Sequence, residues 1–461
     1  VKLLYVAPSA YLLGGVQDWL ADLVAGQRRL GVEVTVAVPN DVIHLLEPYA
    51  ARYPDLNAIP FTNPSGSELG RIHALCALLR RHRDHLVVGV NIAALYPAVR
   101  RLRRQGTFRG RVVMTLHAIE PEYFEDLRAQ RDLLDAVVVT NRLSGALARQ
   151  LGGMEEARIL YAPYGVALEA PPLGIAAPDQ LAGSGPRALG VPKGSATPPQ
   201  QLAQVPGLNL VWVGRLESPQ KRVQDIGLIL AALDAAGQPF NLTIAGDGPE
   251  RTSLESGLTP WIQRGQVRLT GPISRQRLHA EIYGRGRVLL ITSSWETGPI
   301  VAWEAMAAGM AVVSSRYVGS GLENALVEGH TALLYPVGDA AAAARQLIRL
   351  STGPLLTELV AGGLDLVRSR YSREASLAAW MAAFTAVQAL PALPSPAPGP
   401  APLAAGGLDR LLGPGPAQTM RLLLHRGFRH GGAGSEWPHS GHAAAGPQAL
   451  LEWAARLDHH G

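Results

Sequence analysis

The 461 residues include 50 glycines and 35 prolines, with 47% hydrophobic and 17% charged side chains, a globular composition long enough for about three domains of roughly 150 residues, or two with linkers and a tail. Lysine and arginine outnumber aspartate and glutamate by 42 to 37, a surplus too small over this length to mark a nucleic-acid binder. The single cysteine, Cys76, can neither close an intramolecular disulfide nor build a thiolate metal site, so nothing asks for an oxidising compartment and the cytoplasm is the expected location.

In chain order, an apolar run at Leu3–Ala7, a loop ending in Gly14-Gly15, a helical stretch from about Val16 to Leu30 and a second run at Val32–Val38 read as strand, helix, strand. The first run is too short for a signal-peptide core. It stands almost flush with Val1, which leaves room for residues upstream. Further runs at Leu86–Val90, Val112–Leu116 and Ala136–Val139 alternate with helical segments, as in a parallel sheet covered on both faces. Residues 1–168 are therefore expected to form a first α/β domain. From Glu169 to Pro206 the periodicity stops and eight of 38 residues are proline, the composition of a linker.

The alternation resumes with Leu208–Val213, a helix around Val223–Ala236, Phe240–Ala245, a helix near Pro249–Gly257, Val267–Leu269, Val288–Ile291, a helix at Pro299–Ala308 and Ala311–Ser314. A second α/β domain is expected over 207–371. Residues 391–461 carry eight prolines up to Pro416 and six of the chain's 13 histidines. They read as a largely disordered low-complexity tail with one short helix near Gln448–Leu457. Tail histidines at 439, 442, 459 and 460 lack cysteine or clustered carboxylates, so no metal site is expected. No apolar run reaches the roughly 18 residues of a membrane span without meeting proline.

In open parallel sheets ligands bind beyond the carboxyl ends of strands. After Leu208–Val213 come Gly214-Arg215 and then Lys221-Arg222, just ahead of a helix. Cations at a helix start oppose its positive dipole end, and a phosphate between them would relieve the conflict. A solvated basic turn is the plainer explanation, but one of only three lysines sits here, which favours phosphate. The segment Ser293-Ser294-Trp295-Glu296-Thr297-Gly298-Pro299-Ile300-Val301-Ala302-Trp303-Glu304 leads into an apolar helix that Gly309 ends. Glu304 is the only charge within that helix, and a carboxylate there must accept hydrogen bonds, from ligand hydroxyls or from a buried arginine. The first amides, around Gly298–Val301, make an anion site next to Glu296.

With the Glu296-x7-Glu304 pattern and the following Ala-Met-Ala-x-Gly, the sequence resembles the retaining glycosyltransferases of family 4. The likeness extends to Gly214-Arg215 with Lys221, to Ile244–Pro249, and to Gly329–Leu334 with Gly338-Asp339, and it covers roughly residues 2–389. It implies a GT-B fold: two Rossmann-like α/β domains facing across a cleft, with a C-terminal crossover helix at 372–390 returning to the first. It implies transfer of a sugar from a nucleoside-diphosphate sugar to a glycan, lipid-linked or small-molecule acceptor with retention, and no obligatory metal or other cofactor.

Position by position, the resemblance gives Arg215 and Lys221 the diphosphate, Glu296 the hydroxyls of the transferred sugar, the amides of Ile300 and Val301 after Gly298-Pro299 a phosphate, and Glu304 the ribose. Gly214, Gly246 and Gly248 would line the donor, the last two near the base. Gly14 and Gly15 would bring backbone close to donor and acceptor, and His117 would stand near the sugar for positioning or oxocarbenium support rather than nucleophilic attack. Alternatives on the same architecture are a sugar-nucleotide-binding protein without transfer activity and a nucleotide-sugar epimerase.

The chain departs from the family where Asn is common in Pro163-Tyr164-Gly165-Val166, in Gly309-Met310-Ala311, and in the length of its linker. Between Arg71 and Arg111 lie ten arginines and one acid, Asp84. Solvated helix faces are the first explanation for them, and peripheral contact with an anionic membrane at its inner surface is the second.

Overall fold

The computed structural model describes residues 1–8, 15–41, 46–90, 92–168, 207–351, 353–399, 406–427 and 446–459. The linker at 169–206 and tail histidines 439, 442 and 460 lie outside them. The chain divides into two compact units, one of residues 1–165, 321–323 and 373–461 and the other of residues 166–320 and 324–372.

The first unit is built on a seven-stranded sheet of β1 (Lys2–Val6), β2 (Glu33–Asp41), β3 (Ile59–Asn63), β4 (Leu86–Val90), β5 (Val112–Leu116), β6 (Ala136–Val139) and β7 (Ile159–Tyr161), in the order β3-β2-β1-β4-β5-β6-β7. Every pairing is parallel. The runs LVVGV and VVMTL of β4 and β5 are buried at every residue, because helices cover both faces of the sheet.

The second unit holds β8 (Leu208–Val213), β9 (Phe240–Ala245), β10 (Val267–Gly271), β11 (Val288–Ile291), β12 (Ala311–Ser315) and β13 (Leu333–Tyr335), in the order β10-β9-β8-β11-β12-β13, again all parallel. Leu210, Trp212, Leu242, Ile244, Leu290 and Val313 pack into the core on one face. Val211, Leu289, Ile291 and Val312, at the alternate positions, pack into the core on the other with Trp303 and Met306. These are two doubly wound α/β sheets, the expected fold class. Strand order reverses between β1 and β4 in the first and between β8 and β11 in the second, and such reversal points are where this architecture leaves a crevice.

Three strands go unannounced in the sequence, β3, β7 and β13, and each lies at the edge of its sheet. Edge strands can be short and can carry proline, as β3 does at Pro60, because one row of their backbone groups needs no ladder partner.

The tail also differs from its reading. Among its described residues it carries helices at Gly407–Leu412, Pro414–Leu423 and Pro447–His459. Proline at a helix start removes an amide that has no partner there anyway, so Pro414 and Pro447 open helices rather than forbid them. A buried Arg421–Asp409 pair joins the first two, and Gln418 accepts a hydrogen bond from Ser67, the N-cap of the helix Glu68–Arg81.

The arginine-rich stretch is partly turned inward. Arg71 pairs with Asp41 at 3.2 Å and Arg100 with Asp132 at 2.6 Å. Asp135 receives Arg103 at 2.6 Å, Arg111 at 2.7 Å and the Val112 amide at 2.8 Å. No helix among the described residues is long and apolar enough to cross a membrane.

Candidate active site

At the reversal point of the second sheet, β8 and β11 lie side by side, with Val288 in register with Leu210, so the loops that follow them emerge together. The first contains Gly214, Arg215 and Lys221, and the second runs from Ser293 to the helix Ile300–Ala307. Hydrogen bonds zip the two loops. The Ser294 amide donates to the Gln220 carbonyl at 2.7 Å, the Thr292 hydroxyl to the Lys221 carbonyl at 2.6 Å, and the Gln220 side chain to the Trp295 carbonyl at 3.0 Å.

Within this frame Lys221 Nζ lies 2.5 Å from Glu296 Oε1, which also accepts from the Ser293 hydroxyl at 2.6 Å. Gln220 Nε2 stands 3.5 Å from the other carboxylate oxygen. The backbone of Glu296 is fixed by its amide bond to Val318 at 3.1 Å.

The conflict expected of cations ahead of the helix Gln224–Ala235 is resolved inside the protein. Glu296 compensates Lys221, and Asp225 in the first turn of the helix takes Arg222 through bonds of 2.7 and 3.0 Å. A phosphate is therefore not needed to explain the basic turn. Of the three donors on an ammonium, one of Lys221's goes to Glu296.

Arg215 is more exposed and bonds Glu217 at 2.7 Å. Its backbone is pinned from the β9 side. Leu216 exchanges amide bonds with the Asp247 carbonyl at 2.9 Å and the Glu250 amide at 3.0 Å. This approach needs Gly246 and Gly248, because a Cβ on Gly246, at φ 145°, would fall 1.8 Å from the Gly214 carbonyl oxygen, and one on Gly248 would fall 2.4 Å from that of Leu216.

Pro299 caps the helix Ile300–Ala307 and Gly309 ends it at φ 77°. The amides of Ile300 and Val301 have no carbonyl one turn earlier in the helix. Trp303 anchors the helix by stacking on Tyr371, with ring centroids 4.0 Å apart and planes 6° apart. Glu304, half-buried, accepts from the Tyr283 hydroxyl at 3.1 Å. Gln220, Ser293, Glu217 and Tyr283 are the residues that sequence reasoning passed over. Only Ser293, three residues before Glu296, offered a spacing signal.

In the first unit Gly15 opens the helix Gly15–Arg29, while Gly14 lies outside the described residues. His117 follows β5 and is buried. Its Nδ1 is 2.8 Å from the Tyr164 hydroxyl and its Nε2 is 2.9 Å from Thr115 Oγ1. Trp19 packs on the ring at 4.7 Å, and Trp380, from the helix Arg373–Ala389, packs on Trp19 at 4.8 Å. Burial pushes the imidazole down to about 3, which keeps it neutral. A neutral ring does not oppose the positive charge of an oxocarbenium-like sugar, so neutrality is compatible with either role expected of it.

Residues 13–170 match the family model described as Glycosyltransferase Family 4, and residues 207–352 match the one described as Glycosyl transferases group 1. The first span takes in β2 to β7 and the second all of β8 to β13. The chain belongs to the GT-B glycosyltransferases of the family 4 type.

It is 32% identical over 168 residues to the lipopolysaccharide core biosynthesis glycosyltransferase LpsD of Rhizobium meliloti, covering 36% of this chain and 46% of the relative. It is 32% identical over 202 residues to a phosphatidyl-myo-inositol mannosyltransferase of Mycobacterium leprae, covering 41% and 51%. The chain thus spans about half the length of the curated relatives it matches. The crystal structure of Anabaena HepE in complex with UDP-glucose has the same fold, with a TM-score of 0.61 at 15% identity over 84% of this chain and 100% of that one.

Proposed function

We propose that the chain moves a sugar from a nucleoside-diphosphate sugar to an acceptor hydroxyl with retention of anomeric configuration. The observation that carries this reading is the Lys221–Glu296 contact of 2.5 Å at the reversal point of the second sheet, next to the first amides of an apolar helix. Cationic donors and backbone amides in such a place suit a diphosphate.

In this reading Arg215, Lys221 and the Ile300 and Val301 amides take the diphosphate and stabilise the charge that develops on the departing nucleotide, a contribution of about 3–4 kcal/mol for a well-placed donor. Glu296 accepts hydroxyls of the transferred sugar, and Glu304, held by Tyr283, accepts those of the ribose. The base lies near Gly246 and Gly248. Displacement occurs on the face the nucleotide leaves, its phosphate taking the acceptor's proton, and neither glutamate bonds to carbon. His117 acts through hydrogen-bonded placement. The positive charge already present makes a metal dispensable.

A panel of UDP-, GDP- and ADP-sugars, scored for nucleotide release with and without acceptors, tests the reading, beginning with UDP-glucose because HepE is described with it. The anomeric configuration of the product, read by NMR, tests retention. Release from no donor would favour a binding protein without transfer activity.

Six arginines of the basic stretch remain exposed, Arg80, Arg81, Arg83, Arg101, Arg104 and Arg109. They support an acceptor presented at an anionic surface. Flotation with liposomes that contain or lack anionic lipid tests this, and equal binding to both would end it.

A further inference from the structure

We propose that the helices Gly407–Leu412 and Pro414–Leu423 form a hairpin that seats its leucine face in the interfacial layer of an anionic lipid bilayer; the proposal deepens, and rests on, the reading that the acceptor is presented at an anionic surface.

The hairpin is turned inside out. In an ordinary surface helix the apolar side packs on the core and the polar side meets water. Here Ala417, Gln418 and Arg421, at i, i+1 and i+4, are the buried side of the second helix, and all but the alanine are polar. In the first helix the buried residue is Asp409. The side chains left outside are Leu411, Leu412, Met420, Leu422, Leu423 and Leu424, with Leu411 at 79% exposure and Leu423 at 74%. Among the described residues no other stretch of this length exposes more than two large hydrophobic side chains. Clustered exposure of this kind marks an interaction surface, while single exposed leucines do not.

The buried polar groups hold the hairpin down. Arg421 forks onto Asp409, its Nη1 donating to Oδ1 at 2.8 Å and its Nη2 to Oδ2. Gln418 accepts from the Ser67 hydroxyl. It enters beside Gly70, where a Cβ would fall 2.7 Å from its Nε2. Ser67 is itself fixed, its hydroxyl oxygen accepting from the Gly70 amide at 3.0 Å. These anchors decide which side of the hairpin faces inward, and so turn the leucines out.

Charge selects the occupant. Arg410 stands before the apolar run and Arg426 after it, both exposed, and the one acid in 406–427 is Asp409, which Arg421 holds. A second copy of the patch would offer these arginines no free acid. An anionic bilayer offers headgroups to the arginines and acyl chains to the leucines. The helix Glu68–Arg81, on which the hairpin docks, ends on the exposed Arg80 and Arg81. Helices of 6 and 10 residues are too short to span a bilayer and suit its interface.

The full chain is floated with vesicles of phosphatidylcholine alone and of phosphatidylcholine with phosphatidylglycerol, and insertion is read as a rise in surface pressure of a monolayer of the second composition. The wild type should float with the anionic vesicles and raise the pressure. Leu411→Ser with Leu423→Ser should weaken vesicle binding about tenfold to a hundredfold and abolish the pressure rise. Nucleotide release with a soluble acceptor and the circular dichroism spectrum should stay unchanged.

Binding that survives the leucine substitutions but is lost in Arg80→Ser with Arg81→Ser overturns the hairpin and leaves the anionic-surface reading standing. A wild type that floats with neither vesicle, or equally with both, overturns the proposal together with that reading, and nucleotide release still decides the transfer reading. Self-association in sedimentation that the leucine substitutions abolish, without vesicle binding, overturns the proposal in favour of a second copy. If the leucine variant does not fold, the wild-type monolayer decides, and no rise in pressure overturns the proposal.

Discussion

The Lys221 cluster of the second unit and the His117 cluster of the first both sit beyond the carboxyl ends of parallel strands, yet they are opposite in kind. The first is an ion pair that retains some contact with solvent, 20% at the Lys221 side chain and 8% at Glu296, and its ammonium holds donors beyond the one given to the carboxylate. The second is neutral and buried, with both ring nitrogens engaged and aromatic rings packed on it. A compensated, accessible pair can exchange a partner for an incoming anion at modest cost, because the charge is stabilised before and after. A sealed neutral network resists such exchange and holds geometry instead.

The contrast can be broken most sharply at Lys221. Lys221→Ala removes the anion's partner and leaves Glu296 without its counter-charge. kcat/KM should fall about 10²- to 10³-fold with the circular dichroism spectrum unchanged, and wild-type turnover would mean that the donor does not bind at this cluster.

A smaller effect is expected at Glu304, whose proposed part in donor binding is confined to the ribose. Glu304→Ala should raise the donor Kd about tenfold, or about 1.4 kcal/mol, with less change in kcat.

The neutral cluster makes a prediction in stability rather than turnover. Burial holds His117 at about 3, below its ordinary 6.5. Its contribution to stability is therefore fully present above pH 6.5 and lost as the pH falls towards 3, at about 1.4 kcal/mol per pH unit. The melting temperature should drop between pH 6.5 and 4, and His117→Phe should flatten the drop. An equally steep fall in the variant would assign acid sensitivity elsewhere.

The smallest effect should come from Gln220→Ala. Its 3.5 Å contact with Glu296 is weak, and no more than about a threefold loss of transfer is expected.

Most of the central strands are legible in the sequence because burial on both faces demands unbroken apolar runs. Leu86–Val90, Val112–Leu116, Ala136–Val139, Leu208–Val213, Phe240–Ala245 and Val288–Ile291 coincide with the strands observed. Three of the four edge strands, β3, β7 and β13, escape because they face that demand on fewer sides, while the fourth, β10, is read at Val267–Leu269. In the candidate site the carriers of charge could be read, since Arg215, Lys221, Glu296 and Glu304 stand out against apolar surroundings. Their partners could not. Tyr283 lies 21 residues before Glu304 and looks like any core tyrosine until the helix Ile300–Ala307 brings the two together. Tyr164 stood out only as a departure from a familiar pattern, and its meaning depended on what β5 places opposite it. In the tail the helix Pro447–His459 is legible near Gln448–Leu457, while Gly407–Leu412 and Pro414–Leu423 are not, because a proline that opens a helix looks in the sequence like one that forbids it.

The first unit is discontinuous in sequence, made of residues 1–165, 321–323 and 373–461, with most of the interval belonging to the second unit. Trp380, whose ring covers Trp19 and whose indole holds Pro163, is therefore synthesised about 200 residues after the sheet it seals. At ribosomal speeds of about 5–20 residues per second, the apolar surface around Trp19 stays uncovered for some ten to forty seconds. During that interval nascent chains face their greatest risk of sticking to one another or of capture by chaperones.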